Sequence, residues 1–367
     1  MASWTTTVTS VPTRGTLARA AAAGVALLLG LAACSASPPP SPVTPDPVTM
    51  TPTVDPSRAA PPEPVVPIVW PLTGVAVAEV AQRPAVAVKI ENTNVARPQS
   101  GLEAADVVWE TIVEFDVSRF VAVFHSQVPD EVGPIRSVRP MDPLIVAPLH
   151  GLLAYSGGQQ GILNLVYDSG VQSISHDAGA AGLYRVSFRA APHNVYGKLQ
   201  TFIDAADGDH VAPPPQQFAF ALRAEQATAP LAGTPASSLS FTLSGASHPS
   251  WAWDAASGTW LRSEGSAPAT AASGARLSAV NVVSITADHP GTGFGAQNGA
   301  VVPTYSLVGE GDAMVATGGT TVAGRWKKAA QDAPMQLFLP DGQPLLLAPG
   351  NTWVELVPAG QGSITVG

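Results

Sequence analysis

Twelve of the 34 residues from Cys34 to Pro67 are proline, and that density decides what this part of the chain can be. Proline has no backbone N–H and holds φ near about −65°, so it interrupts helix interiors and removes ladder bonds from sheets. The other residues are mostly Ser, Thr, Ala and Val, with four charges at Asp46, Asp55, Arg58 and Glu63, and they show no apolar periodicity. Such a segment favours extended polyproline II, which at about 3.1 Å per residue reaches roughly 100 Å. It reads as a disordered tether over 34–67, so a packed core has to begin after it.

Ahead of the tether, Arg14 and Arg19 precede an uncharged apolar run from Ala20 to Ala33. Its 14 residues fall short of the about 20 that a bilayer helix needs and suit a signal-peptide core, which predicts an export signal over 1–33. The run closes on Leu31-Ala32-Ala33-Cys34, which resembles the lipobox of bacterial lipoproteins. That resemblance implies cleavage before Cys34, lipidation of its thiol with diacylglycerol and palmitate-type chains, and anchoring at the extracytoplasmic face of the cell membrane. The alternative is an ordinary secretory signal with a coincidental cysteine. Cys34 is the single cysteine of the chain, so an intrachain disulfide, a zinc–thiolate site and a cysteine nucleophile in the folded body are all excluded.

The chain carries 18 Lys and Arg against 27 Asp and Glu, a net charge of −9 to which the leader contributes +2. Residues 34–367 therefore stand at −11 and hold no basic cluster, which argues against a nucleic-acid partner. At 46% hydrophobic residues the chain can bury a core, while 36 Pro and 34 Gly predict many loops.

The 300 residues from 68 to 367 suggest two domains. Over 68–215 strand and helix signals alternate. Val86, Val88 and Ile90 share one face of a strand in Pro84–Glu91, and Asp106–Glu114 with Arg119–Ser126 read as two further strands. Ser100 and Glu103 have capping-box spacing, predicting a helical turn over Gly101–Ala105. Asp142-Pro143 predicts an N-cap and a helix to Leu149, then a strand over Gly151–Ser156 and a helix over Gln159–Asp168. After about Pro215 short apolar runs recur between Gly and Asp turns, from Ser240–Leu243 to Thr352–Val357, which reads as a mainly β domain over 216–367. The fold class expected is α+β: an α/β layered domain followed by a mainly β one.

Several long motifs in order, Pro71-Leu72-Thr73-Gly74, Arg97-Pro98-Gln99-Ser100-Gly101-Leu102, Gly133 to Pro140, Ala191-Pro192-His193-Asn194, Gly324 to Lys328 and Pro349 to Trp353, resemble the YerB-like bacterial lipoproteins. That family is a domain of unknown function. The resemblance implies a lipid-anchored, two-part body with no established activity, and hence a cell-envelope binding or scaffold protein.

Three groups carry candidate chemistry. Arg136 and Arg139 flank a predicted helix start, where planar bidentate donors and free N–H groups suit a phosphate or carboxylate. The same arginines could instead pair with Glu110, Glu114 or Asp106. Second, the order of Ala105-Asp106, the strand at Arg119–Ser126, the Arg-rich loop and Gly157-Gly158 is similar to the LytR-CpsA-Psr family of cell-wall polymer transferases. That similarity implies a polyprenyl pyrophosphate ligand held by Arg136 and Arg139, with Asp106 near Mg²⁺. Arg97 has the right type to join them. Ser137 stands where that family has Asp, and no catalytic residue is assigned. Third, His193 and Asn194 in a loop after Pro192 suit a general base or a hydrogen-bonded corner. Trp251, Trp253 and Trp260 suit either a sugar-stacking surface or a core. Envelope polymer or anionic lipid is the partner class these residues would take.

Overall fold

The computed structural model describes residues 66–296 and 299–367, so the leader, Cys34 and the tether up to residue 65 lie outside the described residues. Val86–Glu91 (β1), Val107–Ile112 (β2) and Ser118–Phe124 (β3) form an antiparallel set with β3 in the middle. All three are buried along their whole length, and their apolar residues run on both faces, interrupted by buried polar side chains near one end. Asp142–Val146 (α1) leads to Leu152–Tyr155 (β4), and Gln160–Tyr167 (α2) crosses to Gln172–Ser175 (β5); both strands join parallel to the set. Leu183–Arg185 (β6) and Val195–Gly197 (β7) make a separate ribbon before Leu199–Asp204 (α3).

The rest of the chain is strand and turn. Thr234–Pro235 (β8) is followed by Ser238–Thr242 (β9), Pro249–Asp254 (β10), Thr259–Glu264 (β11), Ala267–Pro268 (β12) and Ser278–Ala279 (β13). Asn281–Ala287 (β14) precedes a hairpin of Gly291–Gly295 (β15) and Val301–Pro303 (β16). Gly309–Thr317 (β17), Thr320–Lys328 (β18), Gln336–Phe338 (β19), Thr352–Pro358 (β20) and Ser363–Val366 (β21) complete it. The architecture is α+β, as the alternation of signals predicts.

Strands from both halves enter one mixed sheet in the order β19-β18-β17-β14-β20-β2-β3-β1-β4-β5, with β8 on β18. The joint is β20, which pairs parallel with β14 on one side and with β2 on the other. A six-stranded sheet, β12-β11-β10-β9-β21 with β13 on β11, packs on the central strands.

Arg262 of β11 makes a central contact between the two sheets. Glu110 of β2 lies in register with Phe120 of β3 and with Glu355 of β20, so two carboxylates sit side by side on one face of the large sheet. Like charges directly opposite destabilise a sheet. Arg262, fully buried, donates from Nη2 to Glu110 Oε2 at 2.6 Å and from Nη1 to Glu355 Oε1 at 2.8 Å. Its guanidinium lies 4.6 Å from the Trp353 ring centroid and 5.3 Å from those of Trp251 and Phe120. Burial raises both carboxyls; at Glu110 the Arg262 charge outweighs it, while Glu355, with Glu110 ionised beside it, is held well above its ordinary value.

Local expectations differ from the structure in three places. The turn after Ser100 is a 3₁₀ segment, Leu102–Ala104, whose N-cap is Gly101 in the left-handed region with no side-chain cap bond. No capping box forms, because Ser100 exchanges backbone hydrogen bonds with Gly133. Asp142 is the first residue of α1 rather than its cap, and its carboxylate turns inward to Lys89 Nζ at 2.6 Å and to the Arg139 N–H at 2.7 Å. Trp251 and Trp260 are core residues, and half-buried Trp253 tilts against Trp260 at 5.4 Å between centroids, so they form no sugar-stacking surface.

Candidate functional site

At the end of β1 the alternation of side chains places Lys89 and Glu91 on the face opposite Val88 and Ile90. Thr111 of β2 and Arg119 of β3 fall on that same face, since Thr111 pairs with Arg119 and Arg119 with Glu91. The 133–140 segment runs along this face: the Arg136 N–H donates to Lys89 O, and the Val138 N–H to Gly157 O. Gly133 permits this path because a Cβ there would lie 2.7 Å from the Tyr196 ring. The result is a cavity of about 570 Å³, floored by the strand ends and walled by the 133–140 loop, the start of α2 and the loop before β7.

Four arginines line it: Arg119, Arg136, Arg139 and Arg185, against the carboxylates of Glu91, Glu114 and Asp177. Arg139 grips Glu114 with two nitrogens, Nε donating to Oε2 at 2.6 Å and Nη2 donating to Oε1, while Nη1 donates to Val138 O at 2.8 Å. Arg119 donates to Ser137 O at 2.8 Å and lies 3.4 Å from Glu114. Burial alone would raise the Glu114 carboxyl; the Arg139 hydrogen bond and the charges of Arg119 and Arg139 hold it at about 2. Burial and the neighbouring Arg139 charge push Arg119 down to about 9, so it remains a cation at neutral pH. Beneath them, fully buried Lys89 bonds Asp142 and the Thr111 hydroxyl, and burial brings it down to about 8.

Arg136 is engaged differently. Among the described residues its side-chain contacts all run through Nη1, to Pro192 O at 3.2 Å and to Glu91 Oε2 at 3.4 Å. Beside it, His193 Nδ1 lies 2.8 and 2.9 Å from the two oxygens of Glu91, itself buried and also bonded by the Thr93 hydroxyl at 2.7 Å. Nδ1–H therefore points at the carboxylate, and no described residue engages Nε2. The hydroxyls of Ser137 and Ser156, 3.3 Å apart, also face the cavity.

The structure brings Arg136, Arg139 and His193 together and places the other candidates elsewhere. Asn194 Oδ1 accepts from Arg185 Nη1 at 2.6 Å and its Nδ2 donates to Val186 O at 3.2 Å, so it orients an arginine of the rim. Arg97 does not reach the cavity: it donates to Asn92 Oδ1, Asn94 Oδ1 and Asn92 O at 2.8–3.0 Å and pairs with Glu264 at 3.2 Å, clamping its own loop to β11. Asp106 does not reach it either. Its carboxylate is buried and accepts the N–H groups of His125 and Ser126 at 2.7 and 2.8 Å and the Ser126 hydroxyl, which closes the end of β3. Among the described residues no cluster of three or more His, Cys, Asp or Glu is arranged to hold a metal.

Glu114, one of the three carboxylates the sequence offered as partners for these arginines, takes Arg139, whereas Glu91, Arg119 and Arg185 complete the site and were not singled out from the sequence. A signal was available for two of them: Glu91 and Arg119 are charges at inward positions of otherwise apolar strands, where an ion needs a partner.

Fold and cleft together define a two-sheet α+β protein with a semi-enclosed, arginine-lined cavity at one end of its central strands. The chain belongs to a family of proteins of unknown function (DUF3048), whose N-terminal domain matches residues 72–212 and C-terminal domain residues 239–354. A relative in Bacillus subtilis (strain 168), YerB, whose name includes the word lipoprotein, is 34% identical over 140 residues. That stretch covers 37% of this chain and 42% of the relative's own length, so the alignment spans less than half of either. The crystal structure of YerB from Bacillus subtilis has the same fold, with a TM-score of 0.69 at 24% identity over 81% of this chain and 99% of that one. Among the described residues no helix is long and apolar enough to cross a membrane.

Proposed function

We propose that this protein is a lipid-anchored cell-envelope protein that binds a phosphate-bearing ligand in the arginine-lined cleft. The anchor rests on the Leu31-Ala32-Ala33-Cys34 sequence and on the lipoprotein in its relative's name. The binding reading rests on one observation: four guanidiniums line a single cavity, and two of them, Arg136 and Arg185, meet their described partners through a single nitrogen each. With four cations against three carboxylates the lining is positive, in a chain that is acidic overall. Gln159, the N-cap of α2, and Gly158 ahead of it line the cavity at the partially positive end of that helix. Arg139 and Arg119 are largely committed to Glu114, so they act as a fixed field and Arg136 as the ligand's direct donor.

Calorimetric titration of the detergent-solubilised full chain with pyrophosphate tests this. Binding should weaken with salt, as screening of exposed charge requires, and Arg136→Ala should abolish it with little change in melting temperature. If wild type binds no anion and Arg136→Ala unfolds the protein, the arginines are structural. Mass spectrometry of the same preparation would show whether a polyprenyl phosphate copurifies.

A second reading, that the cleft also processes its ligand, is favoured by the Glu91–His193 pair. A carboxylate that holds Nδ1–H leaves the Nε2 lone pair as a proton acceptor, the arrangement of a general base. If so, His193→Gln removes turnover of a bound phosphate ester and leaves its affinity; a variant that loses affinity alone restricts His193 to binding.

A further inference from the structure

The turn between β2 and β3 is a three-residue 3₁₀ segment, Glu114–Asp116, with two consecutive non-glycine residues in the left-handed region: Phe115 at φ +62° and Asp116 at φ +59°. A bulky side chain is rarely found there, because Cβ crowds the following carbonyl. Such a conformation persists when its surroundings over-determine it, and it is concentrated where a side chain must be presented in one direction.

The surroundings here do so from both sides. Glu114 is locked by Arg139 and Arg119, and the Asp116 carbonyl accepts the Ser244 hydroxyl at 2.5 Å. The Val113 N–H closes the turn onto Val117 O at 2.9 Å. What this turn presents is a phenyl ring that is 60% exposed and lines the cavity beside the guanidiniums that hold Glu114. Val117, Val195, Pro192 and Ala296 continue the apolar lining. An aromatic ring left in water gains nothing from folding, and the strained turn holds it in place.

We infer that Phe115 is a stacking platform, and that the ligand of the cleft is a ring compound carrying a phosphate. The inference rests on the anion-binding reading: the phosphate meets Arg136, and the ring it carries lies over Phe115 at the mouth. An aromatic ring and the C–H face of a sugar share this chemistry, and the experiment separates them.

The test is calorimetric affinity of the full chain in detergent for inorganic phosphate, phenyl phosphate, glucose 1-phosphate and butyl phosphate. Stacking predicts that phenyl phosphate or glucose 1-phosphate, whichever ring type the site takes, binds about 2- to 13-fold tighter than inorganic phosphate, from about 0.5–1.5 kcal/mol per aromatic contact. Phe115→Leu should erase that gain while leaving inorganic phosphate affinity unchanged, and Phe115→Trp should keep it. If inorganic phosphate binds but neither ring improves on it, or if butyl phosphate gains as much as the better ring, the platform is refuted while the anion site stands. If inorganic phosphate itself does not bind, both readings fall. Unchanged ring preference in Phe115→Leu, with its melting temperature equal to wild type, also overturns the inference.

Discussion

Arg262→Met tests whether the two sheets are held by an ion set or by apolar contact. Methionine keeps an unbranched apolar stem among Trp251, Trp353 and Phe120 but removes the cation that bridges Glu110 and Glu355. Glu110 is fully buried and ionised in the parent because Arg262 lies 2.6 Å away. Removing one partner of a buried pair and leaving the other costs about 3–5 kcal/mol, far above the loss of an exposed pair. Glu355 is held well above its ordinary value, so Glu110 carries the larger share of the stranded charge and a value of about 4 kcal/mol is expected, taken from the middle of that range. For a body of this size that lowers the melting temperature by about 8–16 °C. Near-ultraviolet circular dichroism is a suitable probe, since Trp251 and Trp353 pack edge to face at 5.3 Å in the same cluster. Adding Glu110→Gln and Glu355→Gln to Arg262→Met should recover most of the loss by removing the stranded charge. A melting temperature within about 2 °C of the parent for Arg262→Met alone, against the shift expected per kcal/mol, would refute the reasoning.

Two further outcomes are expected from the same structure. Glu355 holds its proton more tightly folded than unfolded, so the stability it contributes is complete below its ordinary value of 4.5 and is lost as pH rises through its raised folded value. Glu355→Gln should flatten that decline with rising pH in a melting-temperature series, and a decline equal to the parent's would contradict the assignment. Asp106→Ala strands the N–H groups of His125 and Ser126 and should cost about 2–4 kcal/mol in chemical unfolding; pyrophosphate affinity that falls with it would return Asp106 to the site.

What the sequence made legible was local. β1, β2, β3, α1, β4 and α2 lie within a few residues of where alternation, Asp-Pro and Gly-Gly signals put them, and the β runs after residue 238 reappear as β9, β10, β11, β14, β16, β17, β19 and β20, while the long strand β18 was missed. The cleft was half legible. Arg136 and Arg139 were recognisable by type and by their loop, but Arg139 turns to Glu114, 25 residues away, and His193 to Glu91, 102 residues away. Such pairings depend on strand order, which no local pattern encodes. Arg97 and Asp106 misled for the reverse reason: each has a ligand's chemistry, and each spends it on neighbouring backbone and side chains. Gly101 takes the cap that Ser100 seemed spaced for because the loop there is fixed by Gly133 across it.

The position of β20 bears on how the chain can acquire its structure in time. Synthesis delivers β2 some 240 residues before its partner Thr352–Pro358, so the outer edge of β2 waits through that interval and the facing edge of β14 through the last part of it. Two parallel pairings of such long sequence separation are slow to form, and an open edge strand is a template for another chain. The central sheet therefore closes as a single late event, when one seven-residue strand inserts between two waiting edges. A growing chain has to be shielded from its neighbours until residue 358 has emerged.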